Sequence, residues 1–97
     1  MTGAARYEAA GRRRFAYLLD PTARPSRSVL AAHARYLATL EARGILVVGG
    51  DFPDGGGMVC IEADDAGEAD AIAAADPLVV FGFALYRLRE LVTPAAS

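Results

Sequence analysis

Lysine and tryptophan are missing from this 97-residue chain, and histidine and cysteine occur once each. A lone cysteine forms no internal disulfide and fits a reducing compartment. One histidine and one cysteine also give no ligand cluster at the spacing of a metal site, so neither a metal nor another cofactor is expected. Without lysine, the glycine-rich stretch 49–57 cannot complete a Walker phosphate loop, and it does not match Gly-x-Gly-x-x-Gly. The all-arginine basic set, beside so much alanine and glycine, reads as codon usage of a GC-rich genome. No apolar run approaches the roughly 20 residues that span a bilayer. Met1 to Arg14 lacks the apolar centre of a signal peptide. A soluble cytoplasmic protein is expected. A formal charge of −2 and a pI near 5.2 leave no basic footprint for nucleic acid.

Apolar residues make up 54% of the chain, which is high for so short a sequence. One domain of this size buries only about 60–65% of its unfolded surface, so a second subunit is the simplest cover for the excess. Residues 1–12 read as a tail, with a frayed helical turn around Arg6 to Ala10; 13–92 read as the domain; 93–97 read as a second tail opened by Pro94. Arg13 to Leu19 alternates as a strand, with Phe15, Tyr17 and Leu19 on one side and Ala16 and Leu18 on the other. A helix follows from Ser26 or Arg27 to Arg43, with Ser26 as N-cap and Gly44 as stop. Ile45 to Val48 is a short strand, Gly49 to Gly57 a turn-rich loop, and Met58 to Ala63 a third strand. Asp65 caps a second helix with Glu68 at capping-box spacing; it runs to Ala75 or Asp76 and stops at Pro77. Leu78 to Phe81 is an apolar connector, Gly82 a hinge, and Phe83 to Leu91 the last strand. The order is β-α-β-β-α-β, an α+β ferredoxin-like fold with both helices on one face of a four-stranded antiparallel sheet. The strands are apolar on both sides, which implies a partner sheet. An RNA-recognition domain shares this order, but Met58 to Glu62 lacks the aromatics that stack bases.

His33 lies on the apolar stripe of the first helix with Val29, Leu30, Tyr36, Leu37 and Leu40. A core or interface histidine is the plainer reading; proton transfer near neutral pH is the sharper one. Asp76 continues the inward stripe of the second helix, beyond Ala69, Ile72 and Ala73. A carboxylate at a helix C-terminus sits in an unfavourable field unless a cation stands near, and His33 can be that cation. The plainer reading of Asp76 is an Asp-Pro helix stop. Tyr17, Tyr36 and Tyr86 can offer phenol hydroxyls to a pocket, although tyrosine in a small core more often packs its ring. Arg87 and Arg89 are surface or interface charge, or else an anion clamp. Cys60 is a buried inert thiol.

From Phe15 to Leu91 the chain resembles the YciI-like (YCII-related) family. The resemblance is carried by the aromatic first strand ending in Asp20, His33 followed by Tyr36-Leu37 and Leu40 to Gly44, and Val48-Gly49-Gly50. The glycine turn Asp54 to Gly57, then Asp76-Pro77-Leu78-Val79, and a strand bearing Tyr86 and Arg87 complete it. It implies a dimeric α+β barrel and a His33–Asp76 acid–base pair. One departure is Gly50-Asp51, where the family usually has Gly-Pro; this places an extra carboxylate at the pocket mouth. Asp51 and Phe52 are therefore expected to face the ligand, from a mobile loop at the rim. The activity expected is cofactor-independent proton transfer (isomerisation, elimination or dehydration) on a small organic acid, lactone or phenol-like metabolite. A non-catalytic ligand-binding or accessory module is the alternative, and a cofactor-free monooxygenase a third. The doubly apolar strands predict a homodimer joined sheet to sheet. Light scattering at micromolar concentration is expected to give about twice the chain mass, and a clean monomer there would refute it.

Overall fold

The computed structural model describes residues 12–92, and the readings for residues 1–11 and 93–97 lie outside them. The elements run β1 (Arg13–Pro21), α1 (Arg27–Ala42), β2 (Leu46–Asp51), β3 (Gly57–Ala63), α2 (Ala66–Ala74), α3 (Pro77–Val80) and β4 (Ala84–Leu91). The four strands form one antiparallel sheet in the order β2-β3-β1-β4. This is the α+β, βαββαβ architecture that the alternation of periods predicts. Among the described residues no helix is long and apolar enough to cross a membrane.

The core lies between one face of the sheet and the helices. Phe15, Tyr17 and Leu19 of β1 and Val59, Ile61 and Ala63 of β3 pack against Leu40 of α1 and Ala69 and Ala73 of α2. The strand period of two puts these side chains on one face. The alternate residues form the open face, where Ala16 pairs with Cys60 and Arg89, and Leu18 with Met58 and Arg87. Leu85 and Val48 are exposed on this chain, whereas the Cys60 thiol is buried, and burial pushes its pKa up. The side-chain hydroxyl of Ser26 accepts a hydrogen bond from the Val29 amide, and the Asp65 carboxylate accepts one from the Glu68 amide, so both caps form where the sequence places them.

Two segments differ from the sequence expectation. Gly49, Gly50 and Asp51 belong to β2, paired with Val59, Met58 and Gly57, so the loop shrinks to Phe52–Gly56. Glycine scores poorly in strands, but the fixed β3 edge satisfies the backbone groups of these residues. The remaining turn is closed by hydrogen bonds from the Phe52 amide to the Gly56 carbonyl (2.9 Å) and from the Gly55 amide to the Phe52 carbonyl (3.0 Å). The connector after Pro77 is a single helical turn, α3, with Asp76 as its N-cap. Proline fits there because its missing N–H would have no partner in the first turn.

Gly56 fixes the turn against β1. Its φ is +77°, and a Cβ there would collide with the Leu19 carbonyl oxygen and crowd Pro21 at 3.2 Å. Gly50 has open space around it. Gly56→Ala is expected to cost about 2–4 kcal/mol in urea unfolding. Gly50→Ala should stay within about 0.5 kcal/mol of wild type. Equal effects would refute this account of the turn.

Candidate active site

The site is assembled where α1 crosses the junction of α2 and α3. Helix α2 ends at Ala74 with Ala75 as its C-cap. Asp76 then takes an extended conformation (φ −62°, ψ 129°) before α3 begins. This one-residue break turns the Asp76 side chain inward, where it is wholly buried. The sequence reading placed Asp76 on the inward stripe at the end of α2, in the unfavourable field of a helix C-terminus. Its actual position, at the start of the next turn, reverses the sign of the local backbone contribution, because the Leu78 amide donates to Oδ1 at 2.9 Å.

Two further donors converge on the same carboxylate. His33 Nδ1 lies 2.8 Å from Oδ1, and the Tyr17 hydroxyl donates to Oδ2 at 2.8 Å. Three elements thus hold one buried acid. A carboxylate accepting from the amide and the phenol is an acceptor towards the imidazole as well, so Nδ1 carries the proton in this bond. That sets the tautomer. In the neutral ring the lone pair is on Nε2, and among the described residues no hydrogen-bond partner engages that nitrogen. Burial, and after it the charge and hydrogen bond of Asp76, raise the Tyr17 pKa far above the ordinary phenol value. Tyr17 therefore remains a neutral donor throughout the working range of pH.

His33 lines a cavity of about 390 Å³ with Leu19, Leu30, Leu37, Met58 and Leu78, and with Gly49 to Asp51 of β2. A second cavity of about 240 Å³ adjoins it, lined by Phe52, Pro21, Pro25 and Phe83. Leu19, Leu30, Asp51, Gly57 and Leu78 line both.

The sequence-derived site residues separate into three groups. His33 and Asp76 meet. Asp51 lines both cavities, and Phe52 lines the second alone. The tyrosines do not reach either cavity as ligand contacts. Tyr17 has no exposed surface, because β1 alternation sends it under the helices, where it serves Asp76. The Tyr36 hydroxyl donates to the Ile72 carbonyl at 2.6 Å, and burial raises its pKa. The Tyr86 hydroxyl donates to Asp70 at 2.7 Å on the far side of α2, and that bond raises its pKa. Arg87 and Arg89 lie on the open face of the sheet, away from the cavities, with Arg87 paired to Asp20 at 3.2 Å. Among the described residues no group of three histidine, cysteine or acidic side chains is placed to hold a metal ion. The Leu78 amide was missed from sequence, since a backbone donor leaves no trace in residue type; the Asp-Pro pair was its one indirect signal.

The profile of the YCII-related domain matches residues 14–92. This chain belongs to that family. No curated protein matches it. Among solved structures, the fold is similar to that of 5-chloro-2-hydroxyhydroquinone dehydrochlorinase from Burkholderia phenoliruptrix, determined in complex with 2,5-dihydroxybenzoquinone. The TM-score is 0.62 at 20% identity, over 84% of this chain and 95% of that one. At that identity the likeness is one of fold.

Tyr17→Phe tests the network in this family member. It leaves Oδ2 buried without its donor and is expected to cost about 1–3 kcal/mol at neutral pH. The pH dependence has a definite sign. The folded chain keeps the Tyr17 proton above pH 10, whereas the unfolded chain releases it. Stability from this group is therefore complete below about pH 10 and falls as pH rises beyond it. The loss approaches about 1.4 kcal/mol per pH unit. In urea titrations at neutral pH and about pH 11, the variant should lose less stability on going alkaline than wild type. An unchanged slope would refute the assignment.

Proposed function

We propose that this protein is a cofactor-independent enzyme of proton transfer, with His33 as general base and acid and Asp76 as the group that orients and charges it. The observation that carries this reading is the fixed tautomer: Nδ1 is committed to a buried carboxylate, and the ring borders a cavity. In the reaction, Nε2 takes a proton from a C–H or O–H of the bound molecule. The electron pair left behind either expels a leaving group, as in elimination or dehydration, or delocalises and accepts the proton back at another atom, as in isomerisation. The imidazolium formed is stabilised by the Asp76 carboxylate, which also accepts hydrogen bonds from the Tyr17 hydroxyl and the Leu78 amide. The dehydrochlorinase of similar fold is, by its name, an enzyme of elimination on a hydroxylated ring, which supports the elimination branch. The open face of the sheet, with Leu18, Met58 and the exposed Leu85, we read as the contact between two copies of the chain.

A panel of hydroxylated aromatics, hydroxy acids and lactones in D₂O, followed by NMR, reads both deuterium incorporation and loss of a leaving group. His33→Ala is expected to lower the rate by about 10²–10⁴-fold, the usual contribution of a positioned acid–base group. Asp76→Asn keeps an acceptor for Nδ1–H while removing the charge, so it should lower the rate less and alter its pH profile. Ligand-induced stabilisation with no exchange in any compound would instead favour a binding module.

A further inference from the structure

The two cavities meet along five shared residues, and their chemistry is lopsided. Among the described residues, the titratable groups of the His33 cavity are His33 and Asp51, Asp51 stands alone in the adjoining one, and no arginine lines either. Asp51 is exposed at the junction, its Oδ1 resting 3.3 Å from the point where a Cβ on Gly57 would sit. Among the described residues no hydrogen bond or ion pair engages its carboxylate. The same Cβ would lie 2.7 Å from the Gly50 carbonyl oxygen, so glycine at 57 lets the β2–β3 end close and hold Asp51 there.

We propose that these cavities form one two-lobed cleft that selects an uncharged, hydroxyl-bearing ring with an apolar substituent, and that Asp51 is its specificity-determining residue. This rests on the reading of the His33 cavity as the substrate site. The hydroxyl donates to Asp51 at the junction, within the part of the cleft that His33 lines. The apolar substituent enters the lobe walled by Phe52, Pro21, Pro25 and Phe83. An organic acid is disfavoured. A protonated His33 is already matched by Asp76 beneath it, so the dyad offers no net positive charge, and Asp51 adds a negative one. This narrows the substrate classes suggested by sequence, in which an acid stood beside lactones and phenols.

The test uses a matched pair of probes, 4-propylphenol and 4-propylbenzoate, titrated into the full-length protein and followed by amide NMR shifts at Leu30, Gly57 and Leu78. The phenol is expected to bind about tenfold tighter than the benzoate, a ratio within reach of one like charge at close range in a partly solvated site. Asp51→Asn should collapse that ratio by weakening the phenol and strengthening the benzoate. Phe52→Ala should weaken 4-propylphenol more than it weakens phenol itself. Benzoate binding as tightly as 4-propylphenol in wild type would overturn the proposal. So would a ratio unchanged by Asp51→Asn, or cleft amides unmoved by millimolar phenol. Turnover is not read in these titrations. A charge preference that follows Asp51, in a protein whose His33→Ala variant loses no activity, keeps the selective cleft and discards proton transfer.

Discussion

The fold and the site share one constraint, the burial of the Asp76 carboxylate. A charge taken out of water costs several kcal/mol unless its lone pairs are met. Here they are met by a phenol from β1, an imidazole from α1 and the backbone of α3. Each of those partners is in place only if its element is docked, so the network reports the assembly of the whole helix face of the sheet. The break between α2 and α3 follows from the same need. A continuous helix through residue 76 would leave the carboxylate among unpaired carbonyls, whereas an extended residue followed by proline presents an amide instead.

The arrangement also divides labour between depth and surface. Tyr17 and Asp76 have no exposed surface, and in the proposed reaction they act through one ring. His33 is the boundary, its Nδ1 bonded to the buried acid and its ring lining the cavity. Asp51 is held from the opposite side by strand pairing, and among the described residues no side-chain partner engages it. In the proposed reading two carboxylates act on the same space in different ways: the buried one through a hydrogen bond, the exposed one through its field.

Much of this was legible in the residues. Alternation in β1, the two helix caps and the Pro and Gly stops gave the order and type of every long element, because those signals are local. The pairing of His33 with Asp76 could be anticipated because His33 lies on the apolar stripe of α1 and Asp76 follows that of α2; the break that turns Asp76 inward could not. The tyrosines were harder. Their hydroxyls find partners 36 and 16 residues away in sequence, and neither Ile72 for Tyr36 nor Asp70 for Tyr86 carries a periodic mark. The strand character of Gly49–Asp51 was hidden for a different reason: glycine states no preference of its own, and the β3 edge decides for it. The one-turn α3 is too short for any period to show.

The irregularity in β2 has a consequence for how such a site can change over generations. Leu46 pairs with Ile61 and Val48 with Cys60, so two steps along β2 match one along β3. In a strand, each step reverses the side on which a residue stands. Strand pairing in unbroken register would send the Asp51 carboxylate through the sheet to the face that carries Leu18 and Met58. Gain or loss of a single codon beyond Val48 would do the same. The side of the sheet that carries the Asp51 carboxylate is thus a matter of odd or even count, open to reversal by an indel that leaves Asp51 itself in the sequence.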